Sequence, residues 1–298
     1  MVFNLETNQN KGGNMSAIII DGKALAAQIK EEVKAKAENF RKEGIIPKLA
    51  VLLVGDDPAS VFYARSKIKM GAGIGIDVDL IEKPADTPES EVLKIIEELN
   101  NNPYVHGIMV ELPLPKHINK DRVMSHIHYL KDVDAVTPMN RGYLLSGEEK
   151  LVPATPLSCI EILKRMNIDI VGKRVCIIGR GETVGKPLAI MLIKRHATIT
   201  VCHTKTKDLP SISKQAEIVI AAAGKAKLVT ADMIAPGAVV IDAGINEIEP
   251  GKYVGDVDFD AVKEIASYIT PVPGGVGSMT TTLMMNNVLT AIEFQRKS

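Results

Sequence analysis

The stretch VCIIGRGETVGKP, residues 175–187, decides how this chain is read. An apolar run from Val175 to Ile178 meets Gly179, Gly181 and Gly185, and an apolar segment of helical character follows from Leu188. Strand, glycine turn and helix in that order make a cradle for a pyrophosphate. Gly179 permits the tight turn, Gly181 lets the main chain approach the phosphates, and Gly185 lets the helix lie close to the strand. The positive end of that helix then faces the anion. A G-x-G spacing by itself also occurs in turns that bind nothing; the flanking strand and helix favour the dinucleotide.

The next strand, ATITVCHTKT at 197–206, selects the nucleotide. Units that bind NAD place a carboxylate about 20 residues past the glycines to hold the ribose 2′-hydroxyl. Here the strand ends in His203, Thr204 and Lys205, with no carboxylate before Asp208, and Arg180 sits inside the glycine turn. Basic and hydroxyl groups at an acid's position suit a 2′-phosphate, so the expected cofactor is NADP. The competing reading leaves Arg180 and Lys205 as solvated loop charges.

Working outward, the chain has 298 residues, enough for two domains. Its 36 basic and 36 acidic residues cancel, so the overall charge calls for neither nucleic acid nor an anionic membrane. No apolar run approaches the roughly 18 residues of a membrane span, and the N-terminus lacks a signal-peptide core. Cys159, Cys176 and Cys202 have neither metal-ligand spacing nor a disulfide count, so no metal is expected and the protein reads as soluble and cytoplasmic. With aromatics at 4% and no tryptophan, a base-stacking surface is not expected. Residues 1–14 are polar and aperiodic and read as a flexible extension.

From Ala17 onward, strands and helices alternate. Apolar runs at 17–20, 48–55, 78–83 and 106–115 read as strands, separated by helical patterns at 23–43, 57–75 and 88–100, with another at 119–129. A polar, glycine-bearing loop at 140–150 precedes a second series of strands at 174–178, 198–202, 217–222, 238–243 and 268–272. This alternation predicts an α/β protein with two doubly wound parallel sheets. The boundaries expected are 15–154 plus 278–298 for one domain and 155–277 for a Rossmann-type NADP domain, the last helix returning to the first domain.

Candidate chemistry lies at three places in the first domain. Tyr63 and Lys67 are four apart on a helix that Asp57 caps, so they share one face; ordinary amphipathic helices show the same spacing. Glu111, in ELPLP, ends a parallel strand, where open sheets gather ligand groups. KDVD at 131–134 sets two carboxylates in a loop. A proline- and glycine-rich loop, PVPGGVGSMT at 271–280, is suited to close approach by a flat ligand, or is only a turn before the last helix.

Together VGDDPASVFYARSKIK, ELPLP, KDVDA, PATP, GRGETVGKPLA, TVCHTKT, DAGIN, GDVDF and PVPGGVGSMTTTLM resemble the bifunctional methylenetetrahydrofolate dehydrogenase/cyclohydrolase family over about residues 16–296. The resemblance implies a folate-binding cleft between the domains, NADP-linked oxidation of a methylene bridge to methenyl, and hydrolysis of that product to the 10-formyl form. It also implies a homodimer joined through the cofactor domains. In that frame Lys67 is the central catalytic group, Tyr63 stacks on the folate, and Asp134 binds the pterin. Pro271, Gly274 and Gly275 cover the folate, while Arg180, Thr204 and Ile245 lie by the cofactor. Methylene oxidation is direct hydride transfer and needs positioning more than acid or base. A free Lys67 amine is more useful in the hydration step.

Four residues depart from the family pattern. Glu111 stands where glutamine is usual; an ionised carboxylate there would hold a proton on Lys67, so hydrolysis is expected to weaken or move to higher pH. Alternatively Glu111 is itself protonated or turned to another cation. Gly181, Ala135 and Ser278 replace the usual serine, glycine and proline, and are expected to alter affinity, not reaction type. Among rival readings, a short-chain dehydrogenase would carry its glycine motif before the tyrosine–lysine pair, whereas here it follows by more than a hundred residues. A non-catalytic NADP-binding regulator would have no need of the Tyr63, Lys67 and Asp134 cluster.

Overall fold

The computed structural model describes residues 16–297, so the extension expected at 1–14 lies outside the described residues. A two-residue strand, β1 (Ile18–Ile19), leads into α1 (Gly22–Lys42), whose Leu25, Ile29, Val33 and Ala37 are buried at four-residue spacing. Then follow β2 (Lys48–Val54), α2 (Pro58–Ile74), β3 (Asp77–Lys83), α3 (Glu89–Asn101), β4 (Gly107–Val110), α4 (Lys120–His126), α5 (Pro138–Leu145) and α6 (Ala154–Arg165). The three strands β3-β2-β4 form one parallel sheet. Leu49 to Val54 of its central strand are all buried, the consequence of a sheet covered on both faces.

The second half supplies β5 (Arg174–Ile178), α7 (Gly185–Lys194), β6 (Thr198–Cys202), α8 (Leu209–Ser213), β7 (Ile218–Ala221), β8 (Val239–Asp242), the antiparallel pair β9 (Asn246–Glu249) and β10 (Lys252–Val254), α9 (Phe259–Val262), β11 (Tyr268–Ile269) and α10 (Gly277–Gln295). Its six-stranded sheet has the order β1-β11-β8-β7-β5-β6, parallel throughout. The expected α/β architecture is present, with α10 packed on α1 and α6. One apolar cluster runs from Leu49 and Val51 of the first sheet through α1, α6 and α10 to Ile177 and Ile220 of the second. Each fully buried leucine or isoleucine in it contributes roughly 1.5–3 kcal/mol. A shared core of this kind fixes the angle between the sheets, and with it the width of the crevice they flank.

Three features differ from the sequence reading. β1, read as the first strand of the first domain, pairs instead with β11 at the edge of the second sheet. The loop expected at 140–150 begins instead as α5, because Thr137 caps it by accepting from the Asn140 N–H and Pro138 starts the first turn. The hairpin β9–β10 was not anticipated; its residues are mostly exposed and only Ile248, Tyr253 and Val254 are apolar, so no sustained period-2 apolar pattern marks it. Among the described residues, no helix is long and apolar enough to cross a membrane.

Candidate functional site

A crevice of about 520 Å³ lies between the two sheets, lined from the first by Tyr63, Lys67, Met109 and Asp134 and from the second by Asp242, Ile245 and the loop 271–278. Helix α2 carries Tyr63 and Lys67 into it. Asp57 fixes the start of that helix, its carboxylate accepting from the Ser60 N–H at 2.9 Å, and Gly75 ends it in the left-handed conformation. One turn apart, the two side chains part company in exposure: Tyr63 is 48% exposed at the mouth, and Lys67 only 7% exposed within.

Lys67 Nζ donates to Glu111 Oε1 at 2.6 Å, and Glu111 is itself buried. Glu111 follows β4, its own N–H bonded to the Leu52 carbonyl, so the carboxyl end of the sheet delivers the carboxylate behind the amine. Of the alternatives read from sequence, pairing with Lys67 is the one found.

The two carboxylates of KDVD separate. Asp132 is fully buried and accepts from the Val136 and Thr137 N–H groups at 3.1 and 2.8 Å and from Asn140 Nδ2 at 2.9 Å. It is the knot of the loop. Asp134 is partly exposed and turns to the crevice. Withdrawal from water pushes its carboxyl up to about 7, with the charges of Asp132 and Glu111 adding and that of Lys67 opposing. Ala135, where glycine was expected, adopts the left-handed conformation at φ 54°, which makes this turn possible and strains it.

The glycine turn has the geometry its spacing implies. Gly179 sits at φ +129°, and a Cβ there would meet the Ala222 carbonyl oxygen at 2.0 Å. A Cβ on Gly185 would meet the Gly179 carbonyl oxygen at 2.2 Å, so helix and strand approach as closely as expected. Gly181 is open: a Cβ there meets nothing within 4 Å. Arg180 and Thr204 are exposed, and His203 is partly so. All of these lie at the carboxyl ends of β5 and β6, on the edge of the sheet that also ends in Asp242.

The structure thus brings Tyr63, Lys67, Asp134, Ile245, Pro271, Gly274 and Gly275 together in one crevice, with Glu111 behind Lys67. It leaves Gly179, Arg180, Gly181, Gly185, His203 and Thr204 outside that lining, along the same sheet edge. Two carboxylates were missed. Asp242 accepts from the N–H groups of Gly244, Asp256 and Val257, and burial still pushes it up to about 6. Asp256, fully buried, accepts from the N–H groups of Ala223, Gly224 and Lys225 and from Asn246 Nδ2. The available signal was a lone acid closing an apolar run, VVID, and another in GDVDF.

Residues 20–134 match the model of the tetrahydrofolate dehydrogenase/cyclohydrolase catalytic domain, and residues 153–296 that of its NAD(P)-binding domain. Over 281 residues the chain is 59% identical to bifunctional protein FolD 2 of Desulfitobacterium hafniense, covering 94% of this chain and 99% of that one. It is similar to the crystal structure of the bifunctional enzyme FolD of Campylobacter jejuni, with a TM-score of 0.91 and 46% identity over 94% of this chain and all of the other. The Trypanosoma brucei methylenetetrahydrofolate dehydrogenase-cyclohydrolase, solved with NADP cofactor and an inhibitor, superposes with a TM-score of 0.88 at 36% identity, covering 95% of this chain and 99% of that one.

Proposed function

The chain belongs to the tetrahydrofolate dehydrogenase/cyclohydrolase family, and on that premise we propose that its crevice carries out both reactions of the family name. These are oxidation of 5,10-methylenetetrahydrofolate to the 5,10-methenyl form with NADP, and hydrolysis of that product to 10-formyltetrahydrofolate. The observation that carries this reading is a single buried amine, Lys67, in a crevice that also presents Tyr63, Asp134 and the 271–278 loop. Relatives named as bifunctional favour neither a non-catalytic regulator nor a dehydrogenase short of hydrolysis.

The residues around the glycine turn fit a dinucleotide. A Cβ built on Gly181 in the turn, or on Gly224 after β7, would meet nothing within 4 Å, so neither glycine is closed in by protein. Gly179, Gly181 and Gly185 would hold the pyrophosphate at the start of α7, Arg180, His203 and Thr204 the 2′-phosphate, and Ile245 the end nearer the crevice. NADP, when bound, accepts the hydride from the methylene carbon. Tyr63 supplies the face against which the folate ring lies, Asp134 a carboxyl group for the pterin edge, and Pro271, Gly274 and Gly275 the opposite wall. Lys67 holds or takes the proton of the hydration step, with Glu111 behind it.

The same reading assigns 15–154 with 278–298 to folate binding and 155–277 to NADP, in a cytoplasmic homodimer. An open edge strand, β6, beside the exposed Ile193 (52%) and Leu145 (71%) supports a subunit contact on the cofactor side. Light scattering of the purified protein reads the dimer directly. The activity is tested by supplying methylenetetrahydrofolate with NADP or NAD and following methenyl formation and then its decay. Hydrolysis of the methenyl product that survives Lys67→Met, or no methenyl formation by the native protein, would remove the proposal.

A further inference from the structure

The crevice wall continues into the hairpin β9–β10. Ile245 lines the crevice, and β9 starts at the next residue. Side chains alternate along a strand, and directly opposed residues of an antiparallel pair share a face. Glu247, two residues past Ile245, pairs with Tyr253 across the hairpin. Ile245, Glu247 and Tyr253 therefore lie on one face, the face that Ile245 turns to the crevice. The register shifts between Lys252 and Tyr253, a bulge of the kind by which a strand re-aims a side chain. The root of the hairpin is fixed by Asn246, whose amide donates to buried Asp256 at 2.9 Å. Glu247 accepts from the Gly251 N–H at 2.8 Å and from the Tyr253 hydroxyl, so the ring is set before any ligand arrives. Across the mouth stands Tyr63, with Phe62 edge-on to it at 5.7 Å between ring centres. The charge of Glu247, burial and the Tyr63 phenol push the Tyr253 hydroxyl above its usual range, so the two phenols stand near one another. Rings held in this way yet open to solvent offer stacking area at little cost in entropy.

Resting on the function proposed above, we infer that Tyr253 is a substrate-positioning residue: with Tyr63 it grips the benzoyl ring that the folate carries beyond its pterin. In that reading the pterin lies within the crevice, by Lys67 and Asp134. The benzoyl ring then leads outward past Tyr63, to the side that Tyr253 flanks from the second sheet. This ring is bonded to N10, one of the two nitrogens that the one-carbon unit bridges. Holding the ring therefore holds the reacting carbon, one bond beyond N10. The contact is ring on ring, and the hydroxyl of Tyr253 serves the hairpin through Glu247.

The test is methenyl formation by the native protein, Tyr253→Ala and Tyr253→Phe, with each substrate varied in turn. Tyr253→Ala should raise the Michaelis constant for methylenetetrahydrofolate about tenfold and leave that for NADP within about twofold of native. Tyr253→Phe keeps the ring and should stay within about threefold of native for both. The denaturant midpoint should hold in each variant; a merely structural role would lower it and raise both constants together. The inference is overturned if the folate constant of Tyr253→Ala matches the native one, if both constants rise alike, or if Tyr253→Phe loses as much as Tyr253→Ala. Titration with tetrahydrofolate reads the same contact without turnover. Tyr253→Ala should bind it about tenfold more weakly, and equal binding overturns the inference. A native protein that makes no methenyl product would instead defeat the functional reading beneath it, and leaves this titration to decide the role of Tyr253.

Discussion

Asn287 in α10 donates its side-chain amide to the Val133 carbonyl at 2.7 Å, and the same amide reaches the Val152 carbonyl at 2.8 Å. The last helix is thereby tied to the loop that presents Asp134. Asn287 is 3% exposed, so no water can replace it without rearrangement.

Asn287→Leu should leave two buried carbonyls without donors. At ~1–3 kcal/mol for each orphaned group, a loss of roughly 2–6 kcal/mol in urea denaturation is expected. The Michaelis constant for the folate should rise more than that for NADP, since the loop loosened belongs to the folate side. A variant as stable as the native protein would show the two bonds to be idle.

Asp134 and Asp242 give the folded state a dependence on pH with a definite sign. Both carboxyls are raised from 3.8, to about 7 and about 6, so the native chain binds these protons more tightly than the unfolded one. Their contribution is fully present below pH ~4 and is lost as pH climbs through 6 and 7. Asp134→Asn removes one such group. The stability difference, native minus variant, should therefore fall from pH 4 to pH 7 in urea titrations, and a flat or rising difference would contradict the assignment.

Asp256 gathers three consecutive N–H groups, those of Ala223, Gly224 and Lys225, with the amide of Asn246. The loop after β7 and the hairpin β9–β10 depend on it together. Asp256→Ala leaves four donors unmet and should lower stability by more than about 3 kcal/mol, placing it in the severe class of buried-network losses. The measurement is a denaturant midpoint, paired with NADP titration, in which the displaced loop should weaken binding.

What the chain disclosed of all this follows from how local each signal is. The apolar runs 48–54 and 175–178 declare buried parallel strands without reference to any neighbour, and Tyr63 and Lys67 need only helix periodicity to share a face. Strand β1 was legible as a strand but not in its pairing, which joins residues 18–19 to 268–269. Spacing could not tell Asp132 from Asp134. One knots the loop and the other faces the crevice because Ala135 turns left-handed between them and the amides of Val136 and Thr137. Nor could it show that Glu111 lies behind Lys67, a contact between elements 44 residues apart.

Arg180 is exposed at the glycine turn, with Thr204 and Lys205 exposed at the end of the neighbouring strand and no acid among them. In the role proposed above, a guanidinium there would pair with a 2′-phosphate and find nothing comparable in a 2′-hydroxyl. Hydrogen bonds to charged groups are worth about 1.5–3 kcal/mol, or roughly 10–100-fold in binding. Arg180→Ala should therefore raise the Michaelis constant for NADP about tenfold more than that for NAD, at unchanged thermal stability. The effect on NADP should also shrink at high salt, because the site is open to solvent. Equal losses for the two nucleotides would mean that the arginine serves the turn itself, and the phosphate would have to be sought at Thr204 and Lys205.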